Sequence, residues 1–118
     1  MIQSTDLRLG NLVKYKGEIV KVFEIQNKFI GAKEGNSFPY FLLAERFNPI
    51  PITAEFFKER GYGYDYHHND ITINSDYRVE FSLSKGYLID GYGLIVEIEY
   101  IHELQNLYYA LTKTELEL

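Results

Sequence analysis

The densest group of side chains able to do chemistry is Asp65, His67, His68 and Asp70. Imidazole and carboxylate together suit zinc or a similar divalent ion, provided three or four ligands converge at close range. Neighbouring residues of a strand point to opposite faces, so His67 and His68 can ligate together only at a turn or bulge. The same residues read equally as a polar loop, and no metal or other cofactor is expected. A small-ligand- or metal-binding protein, or an enzyme, built on the His67/His68 region is retained as an alternative, with the remote His102 as a possible further ligand.

Tyr62, Tyr64 and Tyr66 recur at period two in the same segment. In an extended chain they share one face. Tyrosine with interspersed glycine suits an adaptable binding surface, and the partner-binding residues expected here are Tyr62, Tyr64, Asp65, Tyr66, His67 and His68. Cross-strand packing within a sheet is the plainer use of such a ladder. Arg8, Lys14, Lys16 and Lys21 form a second candidate, for contact with nucleic acid or an acidic partner. Lysines on edge strands that discourage aggregation are the competing explanation.

Other constellations carry less. Glu97 and Glu99 share a strand face near Glu103, but paired carboxylates divide acid and base roles only when a cleft buries one of them. Gly61-Tyr62-Gly63 lacks the third glycine and the Lys-Ser/Thr pair of a phosphate loop. No serine occupies a nucleophile elbow. The expectation is a protein that is not an enzyme. His102, Gln105, Asn106 and Tyr109 form a polar stripe that serves either a ligand or the anchoring of a helix to neighbouring backbone.

These residues must be positioned by regular elements. Leu12-Val13 and Val20-Lys21-Val22 flank the turn signal at Gly17, which predicts a curved, SH3-like N-terminal β-hairpin, with a further short strand near 28–32. Residues 38–47 are ambiguous between strand and short helix. Asn48-Pro49-Ile50-Pro51-Ile52 must be extended, because proline fixes φ and removes a donor. Thr53 is a good N-cap for a short helix over 54–60, with Gly61 beyond its end. Alternation over 71–73, 77–83, 87–89 and 94–100 predicts an antiparallel meander, with a hairpin at Asp90-Gly91. From Ile101 the period changes to that of a helix. Leu104, Leu107, Tyr108 and Leu111 form its apolar stripe over 101–111, expected to pack on the sheet. The fold class is therefore α+β, with the whole chain, 1–118, as a single domain.

Composition bounds the function. The 118 residues are 46% hydrophobic and 25% charged, ordinary for one globular domain. No cysteine is present, which removes disulfides, thiolate metal sites and cysteine nucleophiles. A cytoplasmic protein is expected, since Met1 to Leu9 hold no long apolar run and no stretch reaches the ~20 apolar residues of a membrane helix. The net charge is −5, and the basic excess lies within the first 33 residues. That bias opposes general nucleic-acid binding. Eleven Tyr and eight Phe are the unusual feature, serving cores and interfaces alike.

Two stretches, Leu7-Arg8-Leu9-Gly10-Asn11-Leu12-Val13 and Tyr100-Ile101-His102-Glu103-Leu104-Gln105-Asn106-Leu107-Tyr108-Tyr109-Ala110-Leu111-Thr112, together with Pro49-Ile50-Pro51-Ile52-Thr53, resemble small uncharacterised proteins of Bacteroidetes genomes, phages and prophages. The resemblance implies no catalytic residues. It implies a host-directed binder, an anti-CRISPR-like inhibitor of a bacterial defence complex being one form. The expected function is non-enzymatic macromolecule binding with a protein or ribonucleoprotein partner. Direct RNA or DNA binding through the N-terminal lysines is the less favoured alternative.

Overall fold

A computed structural model describes residues 2–118. The fold is α+β, with two antiparallel sheets, a short helix and a C-terminal helix. Contacts gather the chain into two compact units, one of residues 1–50 with 100–116 and one of 51–99 with 117–118.

The first unit is built on a four-stranded meander of β1 (Leu12–Tyr15), β2 (Glu18–Gln26), β3 (Phe29–Lys33) and β4 (Tyr40–Leu43), hydrogen-bonded in chain order. The hairpin anticipated at Gly17 joins β1 to β2, with Val13 opposite Val20. Gly17 has φ +82 and Lys16 φ +50, and a two-residue turn with both φ positive matches the twist of the flanking strands. Register shifts between Val22 and Glu24, a bulge that bends β2. Val13, Val20, Val22, Ile30 and Ala32 cluster with Ile2, Leu7, Ala44 and Phe47 as one buried core. The ambiguous stretch 38–47 resolves into β4 followed by a 3-10 turn over Ala44–Arg46.

The C-terminal helix, α2 (Ile101–Thr112), also belongs to this unit and packs on β1. The Glu103 carboxylate accepts from the Tyr100 amide at 2.9 Å, closing its first turn. Lys113 ends it in the left-handed conformation, donating to the Tyr109 carbonyl. The helix packs on a sheet, as expected, and within its unit that sheet is the N-terminal one. Its buried residues are Ile101, His102, Leu104, Gln105 and Tyr108, whereas Leu107 is half-buried and Leu111 exposed. The apolar stripe is thus rotated from the expected one, because the amides of Gln105 and Asn106 must reach backbone at residues 6–12.

The second unit holds α1 (Ala54–Glu59) and a five-stranded antiparallel meander: β5 (Tyr64–Asp65), β6 (Asp70–Thr72), β7 (Tyr77–Ser82), β8 (Lys85–Asp90) and β9 (Ile95–Ile98). Thr53 caps α1 by accepting from the Phe56 amide, and Gly61 follows at φ +84. The helix packs toward β6. Phe57, fully buried, makes ring contacts with Phe56, Tyr62 and Phe81. Asp90 organises the β8–β9 turn by accepting from the amides of Tyr92 and Leu94, both at 2.8 Å. No helix among the described residues is long and apolar enough to cross a membrane.

Candidate functional site

The tyrosine segment does not present one aromatic ladder. Tyr62 is half-buried, its ring edge-on to Phe57 and its hydroxyl donating to the Glu117 carbonyl. Tyr64 is half-buried in β5, under Lys58 Nζ at 4.2 Å, and its hydroxyl donates to Asn69 Oδ1. Tyr66 alone is freely exposed, at 83%. Only Tyr64 and Asp65 have strand geometry, so the period of two does not extend over all three rings. Asp65 instead folds the next residues into a tight turn. Its Oδ1 accepts from the amides of His67 and His68, and its Oδ2 lies 2.6 Å from His68 Nδ1. This pairing holds the His68 imidazole more basic and the Asp65 carboxyl more acidic than usual. His67 is exposed beside Tyr66. Among the described residues, no three His, Asp or Glu side chains converge closely enough to hold a metal ion.

The N-terminal cations are differently engaged. Arg8 reaches across to α2 and the tail. Its guanidinium donates to both Glu115 carboxylate oxygens, at 2.7 and 3.2 Å, and to Asn106 Oδ1 at 3.0 Å, and it stacks over Tyr109. The bidentate pair raises the Arg8 pKa and lowers that of Glu115. Lys14 exchanges backbone hydrogen bonds with Asn48, and Lys16 sits in the turn. Lys21 projects from β2 directly opposite Lys33 of β3. Glu97 pairs with Lys85 across β8 and β9.

The polar stripe of α2 turns inward to the backbone. Gln105 Oε1 accepts from the Leu12 amide at 2.9 Å and its Nε2 donates to the Gly10 carbonyl. Asn106 accepts from Asn11 Nδ2 and donates to the Asp6 carbonyl. His102, 6% exposed, stacks on Tyr100, and its buried Nδ1 has no hydrogen-bond partner among the described residues. It borders a cavity of about 260 Å³ whose lining includes Ile2, Asp6, Glu103 and Asn106. Burial pushes its pKa down, only partly offset by Glu103 and Asp6, which favours the neutral ring.

A surface that the sequence reading did not single out stands on the solvent face of the first sheet. Phe23, Phe29 and Phe41 are 38%, 55% and 55% exposed, on strands whose opposite face carries the buried Val22, Ile30 and Ala32. Gly31 lies between them, opposite Phe41 in register. A Cβ there would come within 2.8 Å of the Phe41 ring and 3.1 Å of the Phe23 ring, so both rings lie down over the glycine. They meet edge to face at 5.6 Å. Lys33 Nζ stands 5.3 Å from the Phe23 ring, and Phe38, in the β3–β4 loop, is 94% exposed. The signal was legible in Phe29-Ile30-Gly31-Ala32-Lys33, where alternation leaves one aromatic, one glycine and one lysine on the face away from the core.

No protein-family model, curated protein or solved structure matches the chain.

Proposed function

We propose that this protein is a non-enzymatic macromolecule-binding module whose contact surface is the Phe23/Phe29/Phe41 face of the first sheet. The observation that carries this reading is the exposure of three phenylalanine rings on adjacent strands, fixed by backbone pairing and not by a mobile loop. Large apolar side chains held exposed on one sheet face are unfavourable in water and point to an interaction surface. Aromatic residues supply large contact area for little side-chain entropy, which is why they dominate binding hot spots. The resemblance to phage and prophage proteins supports a host macromolecule as the partner, with inhibition of a defence complex as the biological role.

The test is comparative capture. Tagged wild-type protein and a Phe29→Ala/Phe41→Ala variant are used as baits in bacterial lysate, after thermal melting has shown that both fold. A saturable partner retained by the wild type and lost by the variant is the expected result. A partner retained equally by both moves the function off this face.

A further inference from the structure

We infer that the occupant of this aromatic face is single-stranded nucleic acid, its bases stacked on Phe29 and Phe41 and its phosphates met by Lys21, Lys28 and Lys33; this rests on the assignment of the Phe23/Phe29/Phe41 face as the contact surface. The register places the groups in rows across the sheet. Lys21 and Lys33 form one row, Gly31 and Phe41 the next, with Phe23 at the bulge beside them, and Phe29 and Leu43 the third. Successive rows are ~7 Å apart along the strands and neighbouring strands ~4.8 Å apart. Phe41 and Phe29 therefore stand diagonally on adjacent strands, a spacing that the splayed bases of an extended single strand can follow. Every base has a π-face, so stacking of this kind tolerates sequence.

Charge decides between nucleic acid and an apolar protein surface. Lys21 and Lys33 are directly opposite each other, and like charges in that position are unfavourable unless something neutralises them. Neither has a carboxylate within ion-pair distance among the described residues, and the Glu115 carboxylate lies near enough to Lys21 to feel its charge. Lys28 is exposed in the β2–β3 turn, next to Phe29 in the chain, and borders a cavity that Leu43, Ala44 and Glu45 also line. Lys21 and Lys33 thus stand at one end of the rings and Lys28 beyond the other, while Glu24, paired with Gly31, stands in the middle row. Aromatic rings between cations match a phosphate backbone with exposed bases better than they match an apolar helix. The −5 charge of the whole chain makes this a local and salt-sensitive attraction.

The test is fluorescence anisotropy with labelled oligo(U), oligo(dT) and a duplex of equal length, at 50 to 200 mM salt. The expected result is saturable binding of at least one single strand, weaker binding of the duplex, and a slope of log K against log salt of about −2 for three phosphates. Phe29→Ala and Phe41→Ala should each weaken binding about tenfold, and Lys21→Gln/Lys33→Gln should flatten the slope. Oligo(U) and oligo(dT) in parallel separate RNA from DNA as the ligand. No binding at 100 μM protein and low salt, or binding that Phe29→Ala/Phe41→Ala leaves unchanged, overturns the inference. If a nuclease-treated lysate still yields a protein partner lost in that double variant while both oligomers fail to bind, the contact surface stands and the nucleic-acid occupant falls.

Discussion

Asn11 Nδ2 donates to Asn106 Oδ1 at 2.8 Å across 95 residues of sequence. Both side chains also bind elsewhere: Asn11 Oδ1 accepts from the Arg8 amide, and Asn106 Nδ2 donates to the Asp6 carbonyl. Asn11 is fully buried. Buried amides tolerate such positions only when their hydrogen-bonding capacity is met. The Leu7–Val13 and Tyr100–Thr112 stretches are therefore two halves of one polar clasp. Their residue types are explained by the docking of α2, without a ligand.

Gln105→Leu tests the clasp. Leucine has similar volume but leaves the Leu12 amide and the Gly10 carbonyl without their side-chain partner. Each buried backbone group deprived of a partner costs about 1–3 kcal/mol. The expected loss is about 3 kcal/mol in urea unfolding monitored by circular dichroism. A loss below about 0.5 kcal/mol would show that water replaces both bonds and that the clasp is not structural.

The rotation of the apolar stripe makes a second prediction. Leu104 is fully buried, Leu107 half-buried and Leu111 exposed. Leu104→Ala should cost about 2–5 kcal/mol through lost contacts and the cavity left behind. Leu107→Ala should cost less, and Leu111→Ala should fall within about 0.5 kcal/mol. Melting temperatures of the three variants rank the positions. Equal losses at Leu104 and Leu111 would place the helix in the register that hydrophobic spacing alone suggests.

That contrast shows where the sequence could and could not be read. Thr53 and Gly61 bracket α1 by local chemistry, and Asp90-Gly91 announces the β8–β9 turn, because caps and turns are decided within a few residues. The face of α2 was misjudged because Gln105 and His102 count as polar on any hydropathy pattern. Their burial depends on partners or neighbours that the helix's own sequence does not contain, residues 10–12 for Gln105. Tyr62, Tyr64 and Tyr66 failed as a ladder for a related reason. Period two implies a shared face only in a strand, and β5 ends at Asp65, whose carboxylate turns the chain. The aromatic face of the first sheet was hidden by its composition. Phe23, Phe29 and Phe41 look like core residues until register shows that Val22, Ile30 and Ala32 already fill the core side.

Acid should destabilise the protein in two stages, the first governed by His102. Its native pKa lies below the ordinary value near 6.5 because the charged ring would be desolvated, with Asp6 and Glu103 offsetting this only in part. Below pH 6.5 the unfolded chain gains a proton at this site that the native ring resists. Stability is therefore full above that value and declines as pH falls, with a slope of at most about 1.4 kcal/mol per unit. Glu115, held acidic by Arg8, adds a second decline below its ordinary carboxylate pKa. His68 has a raised pKa from Asp65, which acts in the opposite sense, but it is exposed and its effect is small. His102→Phe should flatten the dependence between pH 7 and 5 while leaving the decline below pH 4.5. Urea unfolding at half-unit intervals measures this, and an unchanged profile in the variant would assign the first stage to another group.

Two glycines that look alike in sequence should respond oppositely to alanine. Gly31 and Gly86 both lie inside strands with negative φ, so neither is kept for backbone freedom. At Gly86 a Cβ would meet Ile52 Cδ1 at 3.0 Å, Val79 Cγ1 at 3.2 Å and Ile52 Cγ2 at 3.3 Å. Ile52 and Val79 are buried and have no free direction in which to move. Gly86→Ala should therefore cost about 1–3 kcal/mol as overpacking. At Gly31 the obstacle is the outer edge of the Phe41 and Phe23 rings, both open to solvent. Those rings can lift, and alanine gains about 0.5–1 kcal/mol in a strand over glycine through the unfolded state. Gly31→Ala should thus leave the melting temperature within a few degrees while shifting the ring resonances of Phe23 and Phe41 in the aromatic NMR spectrum. If Gly31→Ala instead unfolds the protein as readily as Gly86→Ala, the two rings are locked in place and the face is part of a core, not a surface free to receive another molecule.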